Sequence, residues 1–372
     1  MIGLFWLSLF FITFTYAWYP GWLYLRMKRR PCPVQAAPIL PTVSILMAVH
    51  NEAMALPGKL KSLEEIDYRR DLHEIVVVSD GSTDRTNQIL TNWASERHRV
   101  IICDSHRGKA TALNRAMQEA KGEILVFTDA RQQIEPAAVR CLAANFADPT
   151  VGCVSGELML DSADGSGGGG EGLGLYWRLE KKIREWESRT GSVVGATGAF
   201  YAIRRDLAVP LPPAAILDDV YLPMQAARRG KRVIFEPAAR VFDSLARPNR
   251  EFRRKVRTLT GNYQLLQLAP WLLTRENPIR FEFICHKVFR LLIPFALGTL
   301  LLSSLLLSGY AYRLALMLQV LFYALAALGA FPSRLGVVSR LANVALGFLM
   351  LNTAAAVAFL YFVTGRKTVW QR

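Results

Sequence analysis

Residues 124–131 read ILVFTDAR, a short apolar run that ends at Asp129 and is followed closely by a cation, Arg131. An apolar segment of this length with β-branched content is typical of a strand buried on both faces of a parallel sheet. Three more segments of the same kind precede it, and we predict them to be strands as well: VSILMAV at 43–49, EIVVV at 74–78 and RVIIC at 99–103.

Predicted strands and predicted helices alternate along this part of the chain, with helical stretches at 84–97 and 109–120. Such alternation favours an α/β fold built on a doubly wound sheet. In these sheets ligands bind beyond the carboxyl ends of the strands. The polar residues that directly follow each strand are therefore the first candidates for a site: His50, Asn51, Glu52, Asp80, Gly81, Ser82, Asp129 and Arg131.

Acidic residues stand at several of these strand ends, and two interpretations are open. Asp80 and Asp84 are typical of turns and helix N-caps. Acids that converge on one edge of a sheet, with Lys109 close by, also suit a nucleoside diphosphate held through its base, ribose and phosphates.

Three further segments carry candidate residues. Asp218 and Asp219 precede a predicted helix, either as an N-cap pair or with a general base among them. The small residues at 195–199 allow a backbone to approach a ligand closely. Arg254 and Arg257, three positions apart, can share a helical face towards a phosphate or towards anionic lipid.

The chain is 52% hydrophobic, and its apolar residues concentrate in blocks close to the ~20 residues that cross a bilayer. The first block, 2–25, lacks a basic leading segment and an A-x-A cleavage site, so we predict an uncleaved anchor rather than a signal peptide. The later blocks are predicted to be membrane helices in preference to buried core helices. They lie at 288–308, 314–331 and 342–363.

Basic residues predict the orientation. RMKRR at 26–30 follows the first block, so the middle of the chain should be cytosolic, in a protein of the plasma (inner) membrane. We expect five segments, with the side of the last one left open. They are an anchor at 1–27, a catalytic domain at 40–250, a basic and interfacial segment at 251–285 with a helix at 262–273, three membrane helices at 288–364 and a basic tail at 365–372.

The net charge of +15 is explained by the orientation bias and by attraction to membrane lipids. No zinc-finger, homeodomain or RNP-type pattern is visible in the sequence, so nucleic acid is not an expected partner. Five scattered cysteines without C-x-x-C spacing suit a reducing cytosol. The segment at 165–170, GSGGGG, follows polar residues and is predicted to be a flexible loop rather than a dinucleotide fingerprint.

The order of the motifs resembles that of the family-two glycosyltransferases of GT-A fold. The resemblance is strongest to the membrane-bound branch with hyaluronan, cellulose and poly-N-acetylglucosamine synthases, and it covers about 42–265. It rests on seven motifs in sequence: ILMAVHNEA, VVVSDGSTDRT, RGKATALNRAM, ILVFTDAR, GATGAFYAIRR, LDDVYLPMQAARRGKRVIFEP and RRKVRTLTGNYQ.

The resemblance implies an inverting glycosyltransferase that moves a sugar from a nucleotide-diphosphate donor, UDP-linked or similar, to a lipid-linked or membrane-proximal glycan acceptor. Asp219 would be the catalytic base, as the second acid of the pair with Asp218. Thr197, Gly198 and Ala199 would line the acceptor side. Asp129 would hold a divalent metal, Mg²⁺ or Mn²⁺. The implied donor-binding residues are Val49, Glu52, Asp80, Lys109, Asp129, Arg254 and Arg257.

The sequence also departs from the family pattern. Arg131 replaces the second acid of D-x-D, so either Asp129 holds the metal weakly or Arg131 takes over part of its role. Arg254 and Thr258 stand where Q-x-x-R-W has Gln and Trp, and Ser79 replaces the first acid of D-D-G. Two alternatives therefore stay open: a processive synthase that extrudes its product with partner subunits, and an inactive binding subunit.

Overall fold

The computed structural model describes residues 1–161, 170–244, 248–331 and 337–365. Most of the Gly-rich segment predicted to be a flexible loop, and all but the first residue of the predicted basic tail, lie outside the described residues.

Among the described residues, the strands form one eight-stranded mixed sheet in the spatial order β3-β2-β1-β4-β7-β6-β8-β5. The first four strands run parallel to one another, whereas β7 is antiparallel to both of its neighbours, β4 and β6. β6 and β8 are parallel, and β5 pairs antiparallel with β8. The strands are β1 (Val43–Val49), β2 (His73–Asp80), β3 (His98–Cys103), β4 (Ile124–Thr128), β5 (Gln133–Ile134), β6 (Val151–Asp161), β7 (Phe200–Arg204) and β8 (Arg232–Ser244).

Helices cover both faces of this sheet, and others extend beyond it. In chain order they are α1 (Ile2–Arg29), α2 (Leu56–Glu64), α3 (Thr86–Trp93), α4 (Lys109–Glu119), α5 (Ala138–Ala144), α6 (Gly170–Thr190), α7 (Asp218–Arg228), α8 (Pro248–Leu268), α9 (Arg280–Leu306), α10 (Tyr310–Leu328) and α11 (Val337–Val363).

Successive residues of β1 point to opposite faces of the sheet, and each face has its own hydrophobic core. Leu46 packs with Leu113 of α4 and Leu222 of α7 in one core. Ile45 packs with Leu60 of α2 in the other. The predicted doubly wound α/β sheet is confirmed, with antiparallel strands added in its second half.

The helix predicted at 84–97 is too long. α3 ends at Trp93, because Ala94 is extended and because Ser95 and His98 exchange backbone hydrogen bonds of 3.2 Å in a turn that leads into β3. The helix predicted at 109–120 is confirmed as α4.

The interfacial helix predicted at 262–273 is α-helical only as far as Leu268. α8 is one helix that carries both the basic residues and the start of this segment, and it ends at Leu268. Pro270 then begins a short 3₁₀ turn to Leu273, since proline has no N–H with which to continue an α-helix.

Among the described residues, four helices are long and apolar enough to cross a membrane: α1, α9, α10 and α11. α9 and α11 begin earlier than the predicted 288 and 342. In α9 the additional residues include Glu282, which forms an ion pair of 2.7 Å with Arg26 of α1. The end of α1 and the start of α9 therefore lie together.

Candidate active site

The carboxyl end of β2 organises the loop in front of α4. Asp80 accepts the backbone N–H of Arg107 at 2.8 Å and that of Gly108 at 2.7 Å, and its Oδ2 lies 2.8 Å from His106 Nδ1. Gly108 has φ +93°, a conformation that glycine adopts readily. Asp80 thus fixes the backbone immediately before Lys109.

Lys109 joins two acids that are far apart in the sequence. Its Nζ lies 2.8 Å from Asp129 Oδ1 at the end of β4 and 3.0 Å from Asp218 Oδ1 at the start of α7. Burial acts to lower the pKa of Lys109, but the two carboxylates outweigh it and raise the pKa above its usual range. Lys109 is therefore a permanent cation between the predicted donor and catalytic acids.

Asp218 and Asp219 do not cap α7. Leu217 occupies the N-cap position without a side-chain capping bond. Asp218 is buried and accepts a hydrogen bond of 3.0 Å from the hydroxyl of Tyr201. Burial, with the negative charge of Asp218 beside it, raises the pKa of Asp219 to about 6. A carboxylate with a pKa close to neutral suits general-base catalysis.

The predicted acceptor loop lies directly against Asp219. The N–H of Ala196 donates to the backbone oxygen of Asp219 at 2.7 Å. A Cβ added at Gly198 would stand 2.8 Å from Asp219 Oδ2, too close for any side chain there without movement of the carboxylate. Thr197 accepts a hydrogen bond of 2.7 Å from Arg184 of α6, which fixes the loop from its other side. Ala199 follows, buried, at the start of β7.

The structure places Arg131 beside Glu52 rather than beside Asp129. Arg131 Nε lies 3.6 Å from Glu52 Oε1, and its side chain is 54% exposed. Val49 is buried at the end of β1. The predicted donor residues Val49, Glu52, Lys109 and Asp129 are thus at neighbouring strand ends, and Arg131 lies at their solvent edge.

Among the described residues, no group of three or more His, Cys, Asp or Glu side chains is arranged to hold a metal ion. Asp129 has a 39% exposed side chain with one oxygen bound to Lys109. It can serve as one ligand to an ion whose other ligands are phosphate oxygens and water, as Mg²⁺ commonly has. The residues present fit a weakly held divalent ion and do not form a closed protein cage.

A chamber of about 370 Å³ runs from Asp129 and Asp219 towards Tyr16 of α1 and Asn352 of α11. The acceptor loop and Arg254 line it. Arg257 is exposed and is not among the lining residues, so it lies outside the chamber that Arg254 lines.

Sequence reasoning missed the charged residues that line the chamber near the candidate membrane helices. Glu180, Arg184 and Glu187 recur at helical spacing on α6. His286, Lys287 and Arg290 lie in α9, a candidate membrane helix. Ionisable residues within such a helix are a signal of a functional site, and this signal was present in the sequence.

Comparison with known proteins finds a family model that matches part of the chain. Residues 44–209 match the model described as glycosyl transferase family 2. A probable glycosyltransferase of Bacillus subtilis, YdaM, is 27% identical over 261 residues, which cover 65% of this chain and 61% of the relative.

Two further relatives have more specific names. An N-acetylglucosaminyltransferase of Azorhizobium caulinodans is 27% identical over 219 residues, 55% of each chain. A poly-beta-1,6-N-acetyl-D-glucosamine synthase of Staphylococcus aureus is 25% identical over 203 residues, 53% of this chain and 48% of the relative. The chain thus spans about half of the length of these two relatives.

A solved structure matches the whole fold. The mannosyltransferase PcManGT from Pyrobaculum calidifontis, in complex with GDP-Man and Mn²⁺, superposes with a TM-score of 0.75 at 22% identity, over 98% of this chain and 100% of that one. At this identity the likeness establishes the fold: a GT-A domain with flanking apolar helices.

Proposed function

We propose that this chain, whose residues 44–209 match the glycosyl transferase family 2 model, is a glycosyltransferase that moves a sugar from a nucleoside diphosphate donor to an acceptor at the membrane surface. One observation carries the proposal. Asp219, with a pKa raised to about 6, lies where the strand-end site meets a chamber that reaches the membrane helices.

The proposed reaction is a single displacement with inversion. The oxygen of an acceptor hydroxyl forms a bond to the anomeric carbon, and the bond from that carbon to the diphosphate oxygen breaks. The electron pair leaves with the nucleoside diphosphate, and the hydroxyl proton passes to the carboxylate of Asp219. At neutral pH most of this carboxylate is ionised and able to accept the proton.

The donor is proposed to lie over the strand ends, with UDP or a similar nucleotide as its carrier. Val49 and Glu52 would contact the base and ribose, and Asp80 would shape the site through the loop that it holds. Lys109 would offset the charge of the diphosphate beside Asp129. Arg254, at the chamber wall, would bind the diphosphate from the other side, with Arg257 further out.

Asp129 is proposed to hold Mg²⁺ or Mn²⁺ loosely, mostly as the metal–nucleotide complex. When bound, such an ion offsets the negative charge that develops on the leaving diphosphate. The solved mannosyltransferase is in complex with GDP-Man and Mn²⁺, which supports the use of a divalent ion in this fold.

The metal proposal predicts the behaviour of Arg131→Asp. A second carboxylate two residues after Asp129 would add a ligand, so the Mn²⁺ concentration for half-maximal activity should fall about tenfold. A metal titration measures it, with Arg140→Asp as the control, since Arg140 of α5 pairs with Asp67 and not with a residue of the donor site. Undiminished wild-type turnover in excess chelator, together with an inactive Arg131→Ala, would show that the arginine replaces the ion.

The acceptor is proposed to be lipid-linked or a membrane-proximal glycan, because the chamber extends from Asp219 to residues of α1 and α11. We propose that the protein resides in the plasma (inner) membrane with its catalytic domain in the cytosol. The relative named as a polysaccharide synthase favours a second candidate, repeated transfer to a growing polymer. That candidate would require export partners or additional copies to complete a channel.

A screen of nucleotide sugars tests the proposal. Purified protein in lipid nanodiscs would be given each donor in turn, and release of nucleoside diphosphate would be measured with and without a membrane extract. We expect one donor class to be turned over, faster when the extract is present. If none of the donors released nucleoside diphosphate, the proposed transfer would be refuted.

A further inference from the structure

Basic side chains from three helices line the chamber: Arg184 of α6, Arg254 and Lys255 of α8, and Lys287 and Arg290 of α9. Arg290 is engaged by Glu180 at 2.5 Å, and Lys255 lies 3.8 Å from Glu251. Arg184 donates to Thr197 at 2.7 Å and to Ser155 at 2.6 Å. Within the described part of the chain, neither Arg184 nor Lys287 has a carboxylate within 4.0 Å.

Cations without a carboxylate partner are costly to bury. Burial lowers the pKa of Arg184, so its surroundings disfavour the positive charge. An anion in the chamber would offset this cost, and a guanidinium with two directed N–H groups suits a phosphate.

The chamber also presents buried polar atoms that need partners. Trp177 Nε1, Glu187 Oε2 and Asn262 Oδ1 have no hydrogen-bond partner among the described residues, and all three residues line the chamber. Such atoms are rare in folded proteins, because each costs free energy when its hydrogen bond is missing. Donors and acceptors together suit a ligand with hydroxyl groups, such as a sugar.

An apolar cleft of about 140 Å³ continues from the chamber between α1, α6 and α11. The two cavities share Tyr16, Glu180, Arg290, Leu351 and Asn352. Beyond these the cleft is lined mainly by apolar side chains: Pro20, Leu179, Ile183, Val344 and Phe348.

From the basic side chains, the polar atoms without hydrogen-bond partners and the apolar cleft, we infer that the acceptor is a sugar joined through a phosphate or diphosphate to a lipid chain. Its hydroxyl lies at Asp219, its phosphate contacts Arg184, Lys255 and Lys287, and its hydrocarbon enters the apolar cleft. The inference rests on the proposed transfer reaction and names the substrate class for it. Because Asp219 acts as a base, the nucleophile is a sugar hydroxyl and not the phosphate.

Three surfaces together distinguish this acceptor from simpler ones: the site at Asp219, the basic side chains and the apolar cleft. A neutral glycolipid would leave Arg184 and Lys287 without an anion at ion-pair distance. A soluble sugar phosphate would leave the apolar cleft without hydrocarbon, whose burial favours binding. The lipid-linked sugar phosphate matches all three surfaces.

Three synthetic acceptors that share one sugar test the inference, with wild-type protein in nanodiscs and the donor found in the screen. They are an alkyl diphosphate-linked sugar, the uncharged alkyl glycoside and the free sugar 1-phosphate. We expect kcat/KM for the alkyl diphosphate acceptor to exceed that of each other acceptor at least about tenfold, the effect of one charge-assisted hydrogen bond or a few buried methylenes.

Substitutions at Lys287 assign this preference to the chamber. Lys287→Gln should reduce the preference over the uncharged glycoside about tenfold, whereas Lys287→Arg, which keeps the charge, should retain it. Lys182→Gln on α6, whose lysine is exposed and paired with Glu185 at 2.8 Å, is the matched control and should also retain it.

The outcomes distinguish a failure of the inferred acceptor from a failure of the proposed transfer reaction. Equal use of the charged and uncharged alkyl acceptors would overturn the phosphate site and leave the transfer reaction standing. Equal use of the free sugar phosphate and the alkyl diphosphate acceptor would overturn the lipid chain. If no nucleoside diphosphate were released with any acceptor, or without one, the proposed function itself would fail.

Discussion

At the scale of single residues, the site depends on contacts between positions that are distant in the chain. The acids at the strand ends were predictable, because strand ends of a parallel sheet meet at one edge. The bridge from Lys109 to both Asp129 and Asp218 was not, since it needs the relative positions of α4, β4 and α7. The sequence allowed Asp218 and Asp219 to be N-cap residues; the structure excludes this, because Leu217 is the N-cap.

The raised pKa of Asp219 predicts a pH dependence. Below a pH of about 6 the carboxyl is protonated and cannot accept the acceptor's proton, so kcat/KM should fall as the pH drops through this value. In Asp218→Asn, burial still raises the pKa of Asp219 but the neighbouring negative charge is gone, so the acid limb should move to lower pH.

Rate measurements from pH 4.5 to 8.5, on wild type and on this variant, check the prediction; the range is chosen to extend about 1.5 units below the pKa and further above it. An acid limb at the same pH in both proteins would contradict the assignment of that limb to Asp219.

At the scale of elements, the first half of the sheet followed from its apolar runs, with β1 and β4 at the predicted bounds. The second half did not, because β8 contains Pro237 and its pairing with β6 is irregular between Ser155 and Glu157. Proline in a strand marks such irregularities and obscures the pattern in the sequence. The extent of α8 was also not predictable. Its composition changes from basic to apolar along its length, whereas its backbone stays α-helical from Pro248 to Leu268.

Lys59 connects elements beneath the site and gives a prediction about stability. This residue of α2 is 1% exposed, and its Nζ donates to Thr128 Oγ1 and to the backbone oxygen of Gln132, both at 2.7 Å. Burial lowers the pKa of Lys59 from 10.5 to about 7. Between these values the unfolded chain binds more protons than the folded one, so the free energy of unfolding contributed by Lys59 rises with pH, by at most ~1.4 kcal/mol per unit.

Thermal unfolding in detergent between pH 7 and 9.5, within the window that the two pKa values define, measures this contribution. The increase in Tm with pH should be smaller in Lys59→Met than in wild type. Lys61→Met on the same helix is the control, because the Lys61 side chain is 78% exposed. Identical slopes for wild type and Lys59→Met would contradict a neutral, buried Lys59.

At the scale of the whole molecule, the proposed function requires the sheet domain and the four apolar helices of the described residues to form one path from a water-soluble donor to a membrane acceptor. The ion pair of Arg26 with Glu282 joins α1 to α9. The presence of apolar helices was predictable from composition alone. The chamber between them and the domain was not, because its walls come from α1, α6, α8, α9 and α11 together.

The proposed orientation predicts which cysteines react from outside intact cells. Cys32 is exposed just after α1 and should react with an impermeant maleimide only after the membrane is permeabilised. Ser308→Cys, in the exposed link between α9 and α10, should react without permeabilisation when Cys32 is replaced by serine. Labelling of Cys32 in intact cells, with Ser308→Cys protected, would reverse the orientation.

The most direct test of the account compares Asp219→Asn with wild type in nanodiscs, measuring donor affinity and the single-turnover rate of sugar transfer in the same preparation. If Asp219 is the base, we expect Asp219→Asn to have a donor Kd within about twofold of wild type. Its transfer rate should be lower by ~10²–10⁴-fold, the usual contribution of a positioned base. Asp206→Asn, at an exposed acid distant from the chamber lining, should transfer at the wild-type rate. Transfer by Asp219→Asn at the wild-type rate would contradict the central claim that this carboxylate accepts the acceptor's proton.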